Sequence, residues 1–124
     1  WDVSSVTSMA HMLRESLFNQ DIGSWDVSSV TSMGLLFYLN TSFDQNLGSW
    51  DINQVTDFNS IMTGVTLSTA NYDATLIGWA NQIPLSYNGT LVFGNSTYTL
   101  GGAAATARAA LVSDVGAISD GGGV

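Results

Sequence analysis

The sequence predicts an α/β solenoid, a stack of about three 24–25-residue coils with short parallel strands, closed by a C-terminal α+β cap. Three observations predict it. The phrase WDVSSVTSM stands at 1–9 and again, letter for letter, at 25–33, with a looser copy, WDINQVTDF, at 50–58. Seven columns are apolar in all three copies: Trp1/Trp25/Trp50, Val3/Val27/Ile52, Val6/Val30/Val55, Met9/Met33/Phe58, Met12/Leu36/Ile61, Leu13/Phe37/Met62 and Phe18/Phe43/Leu67. The Trp-Asp phrase then stops, and helix-forming text follows Leu67. An apolar column that recurs between copies, rather than within one element, is what stacking requires, because a single short repeat cannot bury its own inner face.

Within each copy, Val-Thr-Ser-Met reads as a short strand, and the stretch around Met12 and Leu13 reads as a helical or 3₁₀ return. FNQDIGS and FDQNLGS supply the connecting turn. Asn19, Asp21, Asp44 and Asn46 can bond nearby backbone there, and Gly23 and Gly48 tolerate positive φ. These phrases resemble the BspA-like leucine-rich-repeat surface proteins of bacteria, whose repeats carry W-D-V-S-x-V-T-x-M followed by M-F and F-N-x-D-I. The resemblance covers nearly the whole chain and implies a leucine-rich-repeat-like stack in a secreted or cell-surface protein. It also implies adhesion to host or neighbouring-cell components, with protein or glycan partners and no enzymatic activity.

Two segments are expected, a repeat solenoid at 1–66 and a cap at 67–124 packed on it as one compact unit. In the cap, Ser68 or Thr69 can N-cap a helix carrying Tyr72, Leu76, Trp79 and Ala80 at helical spacing, ended by the lone Pro84. Asn88-Gly89 between apolar runs predicts a hairpin turn. A second helix is expected with Ala103, Ala107, Leu111 and Val115 on its inner face and Gly116 as its C′ glycine. Residues 117–120 then read as a last strand before a glycine tail at 121–123. That ending resembles the family's G-W-T-I-S-D-G-G, but is shorter and lacks the Trp.

Composition narrows the function classes. The chain has 124 residues, enough for one core, and a net charge of −8 from nine Asp and one Glu against two Arg and no Lys. Nucleic acid and anionic membrane surfaces call for cationic side chains, which this chain all but lacks. Ser, Thr and Asn total 37, so the surface is built from hydroxyls and amides, which suits an extracellular protein. With no cysteine there are no disulfides, thiolate metal sites or Cys nucleophile. No apolar run approaches the roughly 18 residues of a membrane span. The chain opens mid-phrase at Trp1 with no polar cap before it, which predicts either earlier repeats or a second molecule over that face.

Candidate sites stand beside simpler readings. Asp2, Asp26 and Asp51 are expected about 5 Å apart on successive coils. Asx-turns, each carboxylate accepting the N–H two residues on, explain them most simply; calcium held between coils by Asp and Ser oxygens is the sharper alternative. The Trp column reads as core before it reads as a sugar platform. Thr7, Thr31 and Thr56, with Ser8, Ser32 and Asp57 beside them, form the candidate ligand face. Trp1, Val3, Val6 and Met9 form the candidate self-assembly face of a head-to-tail filament subunit, the alternative to adhesion. His11 and Glu15 are the sole residues of their kind and recur in no other copy, so no general base or cofactor site is nominated. Asn40, Asn88 and Asn95 each open an N-x-Ser/Thr sequon.

Overall fold

A computed structural model describes all residues 1–124. It corrects the expected fold class. The regular elements are two helices and four short strands, in the order α1 (Thr69–Ala80), β1 (Gly89–Val92), β2 (Thr97–Tyr98), α2 (Ala103–Val115), β3 (Gly116–Ser119) and β4 (Gly122–Gly123). The strands form two two-stranded parallel sheets, β1 with β3 and β2 with β4. All six elements lie beyond residue 68, and no solenoid of three coils built on parallel strands is evident.

The repeated phrases form tight turns instead. Residues 8, 32 and 57 meet only as isolated one-residue parallel bridges. The backbone explains why strands do not develop: His11, Leu35 and Ser60 sit at φ 64°, 55° and 51°, so the chain leaves the extended region three residues past each bridge. Glu15, Leu39 and Gly64 repeat the excursion four residues later, at φ 52°, 55° and 81°. The expected helical return is therefore absent as well. In its place Met12 N–H donates to Met9 O, Leu36 to Met33 and Ile61 to Phe58, closing the same turn in each copy.

Hydrogen bonds tie the copies together, and they run in a fixed sense around the return. The N–H groups of Met9, His11, Leu13 and Glu15 donate to carbonyls of Ser32, Gly34, Leu36 and Tyr38. Those of Met33, Leu35, Phe37 and Leu39 donate to Asp57, Asn59, Ile61 and Thr63. A single cluster of 26 buried apolar residues runs from Val3 to Val115. Burial deepens along the repeats: Trp50, Ile52, Val55, Phe58, Ile61 and Met62 are all sealed, whereas in the first copy Trp1 and Met12 are exposed.

The C-terminal segment closes the third copy. Ser68 N-caps α1 by accepting the Asn71 N–H, and Tyr72, Leu76 and Trp79 are buried on one face. Two indoles bridge successive segments: Trp50 Nε1 donates to Ile22 O and Trp79 Nε1 to Leu47 O, both at 2.9 Å. Gln82 accepts the Ile52 N–H and donates to Trp50 O, fastening the end of α1 to the third copy. The hairpin at Asn88-Gly89 does not form. Gly89 opens β1, whose partner is β3, paired in parallel across α2 with Gly89 opposite Gly116. A parallel pair needs a crossover rather than a two-residue turn, and α2 is that crossover. Ala104 rather than Ala103 is buried at its start. The expected glycine tail is in fact β4, with Thr97 opposite Gly122 and Tyr98 opposite Gly123.

Candidate functional site

Thr7, Thr31 and Thr56 lie exposed in one row, joined because each later threonine donates both its N–H and its hydroxyl to the preceding one's carbonyl. The N–H bonds are 2.8 Å and 2.9 Å long, the hydroxyl bonds 3.1 Å and 3.3 Å. The hydroxyl protons of Thr31 and Thr56 are thus committed along the row, which leaves their oxygens as acceptors. Beside this row runs Ser8, Ser32 and Asp57. Ser32 Oγ donates to Asp57 Oδ2 at 3.2 Å, and Asp57 Oδ1 accepts the Asn59 N–H. The Asp57 carboxylate leans over Gly34, where a Cβ would meet Oδ2 at 2.7 Å. Sequence reasoning passed over this role of Gly34; the change from Ala10 in the first copy was its signal. All six candidate ligand residues are therefore neighbours on one face.

Val3 and Met9, by contrast, are buried in the core, Val6 is half-buried, and Trp1 alone of the candidate self-assembly residues is fully exposed, at 98 %. Leu17, 83 % exposed, stands on the same first copy and was not singled out by the pattern. The Trp column divides: Trp50 is core, Trp25 is half-buried, and Trp1 stacks on Trp25 with ring centroids 6.3 Å apart.

The repeated aspartates make Asx-turns. Asp2 accepts from the Ser4 hydroxyl and N–H, Asp26 from those of Ser28, and Asp51 from Asn53. The serine hydroxyls, helped by the serine N–H groups, hold the Asp2 and Asp26 carboxyls below the usual carboxylate value. No three His, Cys, Asp or Glu side chains gather closely enough to hold a metal ion. His11 is exposed, 3.4 Å from the Arg14 guanidinium, and Glu15 pairs loosely with the same arginine at 3.7 Å. The left-handed backbone at His11 recurs at Leu35 and Ser60, residues without chemistry in common, so the strain there belongs to the turn and not to a reaction.

One polar cluster was missed altogether. Asp120 accepts two bonds from Arg108, at 2.8 Å and 3.1 Å, one from the Tyr72 hydroxyl at 2.5 Å and one from the Gly122 N–H. Burial works against the Asp120 anion, but the bonds from Arg108, Tyr72 and Gly122 outweigh it and hold its carboxyl below the usual value. Burial, with the Asp120 carboxylate adding to it, drives the Tyr72 phenol far above its ordinary range. The trio joins α1, α2 and the turn into β4, which is a structural task. Asn40 is likewise structural. Its Nδ2 donates to Ser16 Oγ and to Phe18 O inside the protein, so this sequon is closed, whereas Asn88 and Asn95 are exposed. No helix is long and apolar enough to cross a membrane.

Fold and surface together define a repeat-bearing protein whose copies lock by turn-to-turn hydrogen bonds and present hydroxyl rows to solvent. Residues 1–82 match the family described as Mycoplasma protein of unknown function, DUF285, and the chain belongs to that family. No curated protein and no solved structure matches it.

Proposed function

We propose that the chain is an extracellular binding or adhesion module, related to the BspA-like surface proteins, whose ligand meets the face formed by Thr7, Thr31, Thr56, Ser8, Ser32 and Asp57. The observation that carries this reading is the exposed threonine row, with a half-exposed row beside it, held in register by bonds between copies. A surface already tied to its own backbone loses little side-chain freedom when a partner arrives. The anionic, hydroxyl-rich exterior, almost without cationic side chains, suits protein or glycan partners at a cell surface and disfavours nucleic acid. The test is retention of the purified chain on immobilised matrix proteins and cell-surface glycans, with Thr31→Arg as the variant. Loss of retention with an unchanged thermal transition is the expected result; equal retention by the variant overturns the assigned face. A second reading, a self-assembling structural subunit, is favoured by Trp1 and Leu17 standing exposed on the first copy. Sedimentation separates the two, since self-assembly demands concentration-dependent growth.

A further inference from the structure

A different face holds the largest hollow in the molecule, about 450 Å³, within the usual size range of ligand sites. Its wall contains no apolar residue. The two FxQxxGS turns and α1 build it, so Asp21, Ser24, Gln45, Asn46, Ser49 and Asn71 converge from three successive segments.

Four of these side chains are anchored at one end and free at the other. Asp21 Oδ1 accepts the Gly23 N–H at 2.9 Å, which leaves Oδ2. Asn46 Oδ1 accepts the Gly48 N–H at 2.8 Å, which leaves the Nδ2 donor. Gln45 Nε2 donates to Asn19, at 2.9 Å to Oδ1, which leaves Oε1. Asn71 Nδ2 donates to Asp44 Oδ1 at 2.9 Å, which leaves Oδ1. The Ser49 hydroxyl donates to Gly23 O, pinning the two turns together. The hollow therefore offers at least three fixed acceptors and one fixed donor, planar groups whose orientation is set before any ligand arrives. A second, smaller hollow of about 200 Å³ shares Asp21 and is walled by Phe18, Trp25 and Trp1.

This combination selects a ligand class. Acceptors outnumber donors, so the ligand must bring several hydrogen-bond donors. No Lys, Arg or His side chain lines either hollow, and Asp21 is an anion, so the groove disfavours phosphate, sulfate and carboxylate groups. The aromatic wall beside Asp21 takes a flat apolar face. Hydroxyl donors on one edge and a C–H face on the other describe a pyranose ring. We infer that the groove between the two FxQxxGS turns binds an uncharged oligosaccharide, with ring hydroxyls on Asp21, Gln45, Asn46 and Asn71 and an adjoining sugar in the neighbouring hollow walled by Trp1, Phe18 and Trp25. The site is separate from the threonine and serine rows, so its failure leaves that reading standing.

The test is nitrogen-15 NMR of the labelled chain, following the Gln45, Asn46 and Asn71 side-chain amides and the Trp25 indole. The probes are neutral tetrasaccharides of glucose in α and β linkage, of mannose, of galactose and of N-acetylglucosamine. A heparin tetrasaccharide and calcium chloride alone serve as controls. Saturable shifts of those signals with at least one neutral sugar below about 10 mM are expected, with none from heparin. Asn46→Asp keeps the oxygen that caps Gly48 and turns the donor into a charged acceptor; it is expected to weaken binding about tenfold, whereas Gln54→Ala, at an exposed position outside both faces, leaves it unchanged. The assignment is overturned if no neutral sugar shifts these signals. It is also overturned if calcium or heparin alone shifts them, or if Asn46→Asp binds as the native chain does.

Discussion

Six positions carry the conformational signature of the repeats, and only one of them is glycine. His11, Glu15, Leu35, Leu39 and Ser60 hold positive φ with a Cβ attached, each at a cost of about 1 to 2 kcal/mol, while Gly64 adopts the same conformation freely. Glu15 is exposed and its contact with Arg14 is a loose surface pair, so little is lost when its side chain is removed. Glu15→Gly should therefore raise stability by about 0.5 kcal/mol after the extra chain entropy of glycine is deducted. The reverse change, Gly64→Ala, should lower it by about 1 to 3 kcal/mol, because the new Cβ also meets Leu39 Cδ2 at 2.7 Å. Urea melts of the two variants check both signs. No gain for Glu15→Gly would show that the left-handed turn is less costly than its φ implies.

Among the elements, α1 approaches the repeats most closely. A Cβ on Gly78 would stand 2.0 Å from Gly48 O, and one on Gly48 would stand 2.4 Å from Ala74 O, so helix and turn touch backbone to backbone. Gly78→Ala should destabilise the protein by about 3 kcal/mol or more, a loss readable in thermal unfolding; a near-neutral result would mean that α1 docks elsewhere. Both helices were legible in the sequence, because Ser68 and the spacing of Tyr72, Leu76 and Trp79 are local signals, as are the alanine run and Gly116. The turn-borne Asx bonds of Asp2, Asp26 and Asp51 were legible for the same reason. The strand assignments failed where the deciding partner is distant. Asn88-Gly89 carries a hairpin signal, yet β1 pairs with a segment 27 residues further on, at Gly116. Val-Thr-Ser-Met alternates like a strand, but the left-handed residue that cuts it short is His11, Leu35 or Ser60, and nothing in those side chains announces positive φ. The amide groove escaped notice because its walls come from turns 25 residues apart, each of which reads alone as a local cap.

For the molecule as a whole, acid and alkali act on the same junction. The Asp120 side chain is 3 % exposed, and Arg108 keeps about a quarter of its own in water. Asp120→Ala leaves Arg108 and the Tyr72 hydroxyl without their acceptor and should cost about 2 to 3 kcal/mol, below the full loss of a deeply buried pair. The folded Asp120 value lies below the ordinary 3.8, so its stabilisation holds above that pH and is lost as the pH falls through and beneath it. The folded Tyr72 value lies above the ordinary 10.0, so its contribution is complete below pH 10 and is lost as the pH climbs further. Denaturant midpoints across the pH range should show a plateau between these limits, and Asp120→Ala should flatten the acid shoulder; an unchanged shoulder would assign acid sensitivity to other carboxylates. The two indole bonds have an additional consequence. Trp50 reports on the seam between the start of the third copy and the turn that ends the first, and Trp79 on the seam between α1 and the turn that ends the second, because each ring lends its N–H to a carbonyl there. Loosening of either seam would expose a different chromophore to water, so the protein carries an optical gauge at each joint, and emission from single-tryptophan variants can tell which one parts first.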